Sequence, residues 1–226
     1  MSMLYENVLK RLREERIRLQ LSQEQVSSRV RMSQSHYSKA ELGTARFTYH
    51  EIQHLCESDM NVYYVFTGQR PEDTYARPFE GCASDKLRHC ISVLCEVILC
   101  TCGKQRQECR ERDKRRVEHT RIWCIPCETG NSALYILRHV LGRTQQDFAD
   151  KLEIDIKKLR NLENGKILPD SELLWRIYRE FDISPAIYMG EQKGLAREIA
   201  SLLMLLKKKE REDAVRYLRD CCGILL

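Results

Sequence analysis

Eleven cysteines are the residues of this chain with the most latent chemistry, and eight of them fall between Cys82 and Cys127. Cys100-Thr101-Cys102 and Cys124-Ile125-Pro126-Cys127 could together supply four thiolates to a tetrahedral zinc. The second pair, which follows Trp123, also has the spacing of a dithiol redox centre. Such a centre needs a βαβ setting and a helix N-terminus to lower the thiol pKa, and nothing around it reads as a sheet. Cys95, Cys102 and Cys109 are seven apart, as on one face of a helix. Reduced cysteines inside cells are mostly small buried hydrophobes, so packing is the reading adopted, with no metal and no cofactor expected.

Charged residues make up 31% of the 226, with a formal charge of +5. That excess is mild, so affinity for a polyanion has to come from local clustering. No N-terminal signal pattern is present. The most apolar stretch, Ile91 to Cys102, is broken by Glu96 and too short to span a bilayer, so a cytoplasmic protein with no membrane partner is expected. No nucleophile–base constellation, phosphate loop or paired-carboxylate site stands out, so no catalytic residue and no enzyme activity are expected.

The elements that carry this composition are helical and occur twice. Thr144-Gln145-Gln146-Asp147-Phe148-Ala149 leading to Leu162-Glu163-Asn164-Gly165-Lys166 repeats Ser22-Gln23-Glu24-Gln25-Val26-Ser27 leading to Ala40-Glu41-Leu42-Gly43. A constant offset of 122 pairs Arg16 with Arg138, Gln23 with Gln145, Glu41 with Glu163 and Gly43 with Gly165. Leu4 to Leu19 has the apolar period of an amphipathic helix. Ser22 and Gln25 have capping-box spacing for the next helix, Ser33 is placed to cap a third, and Gly43 to close it. In the second copy Thr144 and Asp155 are the corresponding caps. Beyond Gly43 the first copy reads as one residue shorter than the second, with Phe47 in place of Pro169.

Two short helices joined by a tight turn, framed by these caps, the Glu and the Gly, resemble the phage-repressor and Cro-like (XRE) group of helix-turn-helix proteins. The resemblance implies an all-α fold with two lambda-repressor-like helix-turn-helix domains. It also implies that the third helix of each enters the major groove of double-stranded DNA. The matching base-reading positions are Gln34, Ser35 and Lys39 in the first copy, with Ser33 and Ser38 beside them. In the second they are Ile156, Lys157 and Asn161, with Lys158, Arg160 and Lys166 nearby. Gln can pair with adenine, Lys can donate to guanine, and Ile can contact a thymine methyl. Gln23 and Gln145 match a phosphate-holding residue at the start of the second helix. The Arg16–Glu41 and Arg138–Glu163 pairs are implied to be structural ion pairs. The second copy, with Ile156 on its face, is expected to read other bases, to bind through phosphates, or to serve as a packing module.

Between the copies, Leu87, Ile91, Leu94, Ile98 and Cys102 recur at helical spacing. The run Lys104–Arg121, with eight basic and four acidic residues, reads as a solvated helical surface, with a phosphate-tracking surface as the sharper alternative. Leu195–Leu206 and Ala214–Leu218 give two further helical patterns around Lys207-Lys208-Lys209. Helices this apolar must pack on the repeats or on a second chain, and a homodimer through the C-terminal and linker helices is the expectation. The division expected is a first helix-turn-helix domain over 1–70, a Cys-rich helical linker over 71–129, a second domain over 130–190 and a C-terminal dimerisation segment over 191–226. The function expected is a sequence-specific transcriptional regulator. The alternatives are an antitoxin-like protein-interaction module and a regulator sensing thiol state or metal through the central cysteines.

Overall fold

A computed structural model describes residues 3–104, 110–124, 132–221 and 223, and among these there is no β-strand. The first repeat is five helices: α1 (Met3–Arg18), α2 (Gln23–Arg29), α3 (Gln34–Glu41), α4 (Tyr49–Glu57) and α5 (Val62–Thr67). Four of their starts are set by short polar side chains, α5 by Asn61, which accepts from Tyr64 N. Ser22 caps α2 in a full capping box with Gln25, Ser33 caps α3, and Thr48 caps α4 with Glu51. Val8 and Leu12 of α1, Val26 and Val30 around α2, and Tyr37, Phe47 and Ile52 form one core.

The second repeat has the same order: α9 (Ala133–Val140), α10 (Gln145–Lys151), α11 (Ile156–Glu163), α12 (Ser171–Phe181) and α13 (Pro185–Met189). Helices α10 and α11 sit 122 residues beyond α2 and α3 at both ends. That offset persists to the glycines closing α5 and α13, Gly68 and Gly190, both left-handed. No residue is therefore missing from the first copy. Helix α12 simply runs two residues longer than α4, and α13 one residue shorter than α5. The first helix does differ: α9 is 8 residues against 16 in α1. The turn between the reading helices is left-handed at a non-glycine residue in both copies, Arg31 at φ +57° and Glu153 at φ +52°.

The segments expected to be linker and tail form one body with the second repeat. Helix α6 (Asp73–Ala76) is followed by α7 (Ser84–Lys104), α8 (Glu111–Trp123), α14 (Gln192–Leu203) and α15 (Lys208–Cys221). Leu87, Ile91, Leu94 and Ile98 of α7 pack with Leu134 and Phe148 of the second repeat and with Leu195 and Ile199 of α14 in a single core. The apolar face of α14 that the sequence leaves open to a second chain is covered by α6 and α7 of the same chain.

The charged run is not wholly a solvated surface. Arg116 is buried and donates to Glu198 Oε1 at 2.7 Å, Ser201 Oγ at 2.9 Å and Tyr63 Oη at 3.2 Å. It thereby ties α8 and α14 to the first repeat. All three bonds leave from Nη2, and the Glu198 carboxylate among the acceptors supplies the opposite charge that lets the guanidinium be buried.

Cys56, Cys95 and Cys124 are buried, and Cys100 is exposed. Burial pushes the Cys124 thiol up to about 12 and the Cys95 and Cys56 thiols upward as well. Such thiols hold little thiolate, the form that reacts and binds metal. Cys127, Cys109 and the side chain of Cys102, on which the zinc and redox readings also rested, lie outside the described residues. Among the described residues no three His, Cys, Asp or Glu side chains gather to hold a metal ion. No described helix is long and apolar enough to cross a membrane.

Candidate nucleic-acid interface

A recognition helix reads bases only if its angle to the rest of the domain is held. In the first repeat Glu41, at the inner end of α3, does the holding. It receives Arg16 Nε at 2.7 Å and Nη2 at 3.1 Å from α1, and Gln23 Nε2 at 2.6 Å from α2. Arg16 also donates to the carbonyl of Leu21, fixing the approach to α2. Tyr37 Oη adds a fourth bond to Glu41 at 3.3 Å. Burial raises the Glu41 carboxyl, but the bonds from Arg16, Gln23 and Tyr37 outweigh it and hold the carboxyl below the usual range.

The second repeat rebuilds this clamp. Arg138 Nε pairs with Glu163 Oε1, Arg138 Nη2 reaches Glu163 Oε2 at 3.3 Å, and Arg138 Nη1 donates to the carbonyl of Arg143. Gln145 Nε2 donates to Glu163 Oε2 at 3.0 Å. Leu159 stands where Tyr37 stood. A new bond appears instead: Arg160 Nε donates to Gln145 Oε1 at 3.0 Å. The first repeat has Ser38 at that position.

Outward from the clamp lies the face that could meet DNA. Gln34, Ser35 and Lys39 are exposed along α3, and Ser38 is half-buried beside them. Ser33 is the cap, its Oγ accepting from His36 N at 3.2 Å. On α11, Lys157 and Arg160 are exposed, and Ile156, Lys158 and Asn161 are half-buried. Lys166 is exposed just past Gly165. Gln23 and Gln145 are less available than the sequence implies, since one carboxamide hydrogen of each is spent on the clamp. The other hydrogen and the first backbone N–H groups of α2 and α10 remain for a phosphate.

Two features of the face escaped sequence reasoning. Leu42 is 63% exposed and continues the stripe of Gln34 and Ser38 by one more turn of α3. A leucine at the helix end looks like core, and only the helix's rotation shows otherwise. The second is a seam of charge. Asp170 caps α12 through Oδ1, while its Oδ2 faces Arg46 Nη1 at 3.6 Å and Lys158 Nζ at 3.9 Å. Arg46 belongs to the loop after α3 and Lys158 to α11, so the edges of the two reading units meet on one carboxylate oxygen. Arg46 also pairs with Glu172 of α12.

Comparison with protein-family models matches residues 8–57 to a helix-turn-helix domain and residues 137–188 to a helix-turn-helix. The chain carries two lambda-repressor-like (XRE-type) helix-turn-helix domains in tandem. Comparisons with curated proteins and with solved structures gave no match. The two matched spans contain both clamps and both outward faces, which makes the tandem helix-turn-helix chain a DNA-binding regulator. In each domain the clamp residues are the scaffold, and the outward residues of α3 and α11 are the variable part.

Proposed function

We propose that this regulator binds double-stranded DNA sequence-specifically, with α3 and α11 each entering a major groove. The observation that carries the reading is the duplicated clamp. Arg16, Gln23 and Glu41 recur as Arg138, Gln145 and Glu163 with the same bonds. Each clamp holds a short helix whose outer face is free to contact base edges.

In the first domain Gln34, Ser35 and Lys39 read bases, with Ser33 and Ser38 flanking them. In the second, Lys157 and Asn161 read, Ile156 contacts a thymine methyl, and Lys158, Arg160 and Lys166 face phosphates. The faces differ at every reading position, so the two half-sites differ in sequence. Residues 1–70 and 130–190 are the readers. Residues 71–129 and 191–226 serve as the frame that sets one reader against the other. Helix α14 packs on α6 and α7 of its own chain, so this reading needs no second copy through the C-terminal and linker helices. Regulation follows from occupancy of the site in the cytoplasm, where bound protein blocks or assists polymerase.

Selection of binding sites from random duplex DNA tests this reading. Enrichment of a defined motif supports it, and a flat profile at moderate salt sinks it.

A further inference from the structure

The seam between the two domains joins equivalent pieces of each. Helix α5 packs on α13, its own counterpart. Tyr49, at the start of α4, meets Tyr188 of α13 with ring centroids 6.4 Å apart. The residue 122 positions after Tyr49 is Ser171, and the one 122 before Tyr188 is Phe66. Ser171 and Phe66, the exchanged pair, line one small cavity. Cys56 of α4 likewise shares a cavity with Ala186 of α13. On the other side Tyr178 of α12, the counterpart of Cys56, donates at 3.4 Å to the carbonyl of Thr67 of α5, the helix that also holds Tyr64, the counterpart of Ala186.

Contacts of this reciprocal kind define an isologous interface about a two-fold axis. A head-to-tail arrangement would instead bring unlike pieces together. Because α3 and α11 keep the same offset of 122 within their repeats, a two-fold exchange of α4 and α5 with α12 and α13 carries α3 onto α11 as well. Two readers related in this way present their faces to DNA in opposite senses, as the two subunits of a symmetric dimer do.

Symmetry stops at the side chains. Arg46 pairs with Glu172 across the seam, but the counterparts of these residues are Leu168 and His50, which form no such pair. Tyr5 Oη meets Ser171 Oγ on one side, and the residue 122 positions after Tyr5 is Cys127, which lies outside the described residues. The outward faces differ as well.

We infer that one copy of the chain acts as its own dimer, reading a single duplex site made of two unlike half-sites in inverted orientation, about one helical turn apart. The inference rests on the DNA reading proposed above and adds orientation and stoichiometry to it.

The test uses the full chain and duplexes assembled from the two half-sites found by selection. In one duplex they stand inverted, in a second as a direct repeat at the same spacing, and in a third the half-site read by α3 is doubled as a perfect palindrome. Binding is measured by titration, and the mass of each complex by sedimentation equilibrium. The inverted unlike pair is expected to bind one chain per duplex. The other two arrangements are expected to bind more weakly by on the order of a hundredfold, since a wrong half-site mismatches several base pairs. Equal affinity for the direct repeat would overturn the inference by showing independently tethered readers. Tightest binding of the palindrome by two chains would overturn it in favour of an external dimer. Either result leaves sequence-specific DNA binding intact, whereas no enrichment in the initial selection overturns both readings together.

Discussion

The Tyr5 hydroxyl lies 2.6 Å from Ser171 Oγ, joining the first helix of one reading domain to the helix that follows the recognition helix of the other. Ser171 Oγ also accepts from Phe47 N at 3.2 Å, and Ser171 N donates to the Phe47 carbonyl at 3.0 Å. Trp175 packs on Tyr5 with centroids 6.2 Å apart. The two domains are thus held by a buried polar knot as well as by apolar contact. Burial pushes the Tyr5 hydroxyl up to about 12, so it stays a neutral hydrogen-bonding group.

Replacing Ser171 by Ala leaves the Phe47 N–H and the Tyr5 hydroxyl buried without this partner. The expected cost is about 1–3 kcal/mol of stability, read by urea denaturation. Tyr5→Phe in the same chain removes one of the stranded groups, so the double variant loses less than the sum of the single ones. Strict additivity would contradict the knot.

Arg138 and Glu163 are both buried, with side chains 8% and 2% exposed. Arg138→Met strands the carboxylate and is expected to destabilise the second domain by about 3–5 kcal/mol. Adding Glu163→Leu removes the stranded charge and restores much of that loss. Two equally damaged proteins in the denaturation series would show that packing, not charge, sets the cost.

Two carboxyls of the first domain are held down in the folded chain. Burial raises the Glu15 carboxyl, but bonds from Arg18, Arg70 and Asn61 N bring it from 4.5 down to about 2. Glu41 is held down in the same sense. A carboxyl lowered in the folded state contributes stability above its unfolded pKa and loses it as pH falls through the folded one. Melting temperature should therefore drop between about pH 4.5 and pH 2. In Glu15→Gln that drop should be shallower, and an unchanged slope would remove Glu15 from the account.

Thiol labelling of the native chain, read by mass spectrometry, should modify exposed Cys100 well before Cys56, Cys95 or Cys124, which are buried. Burial suppresses both access and thiolate at these three positions. Equal labelling rates would revive redox sensing by the central cysteines.

Much of this architecture is legible in the residues, because caps and clamps are local chemistry. Ser22, Thr144 and Asp155 cap where their types predict, and the repeated Arg and Glu mark the ion pair of the clamp before any coordinates. The seam is not legible. Ser171 reads as an ordinary first-turn serine, and Arg46 as a loop cation; only tertiary packing sets them beside Tyr5 and Glu172. The same holds for Arg116. Its place in a charged run says surface, yet α14 and Tyr63 close over it. Leu42 fails in the opposite sense, since an apolar type says core while the rotation of α3 turns it outward. Gln23 shows a third limit: its type fits phosphate, but part of its hydrogen-bonding capacity is spent inside the fold.

If the outward face of α3 reads one part of a duplex while α11 reads another, repeating the random-duplex selection with Lys39→Ala should change one half-site only. One position of one half-site should then lose its preference, with affinity for the parent site lower by about 1–3 kcal/mol and the other half-site unchanged. A motif identical to that of the parent chain at every position, bound with equal affinity, would contradict it.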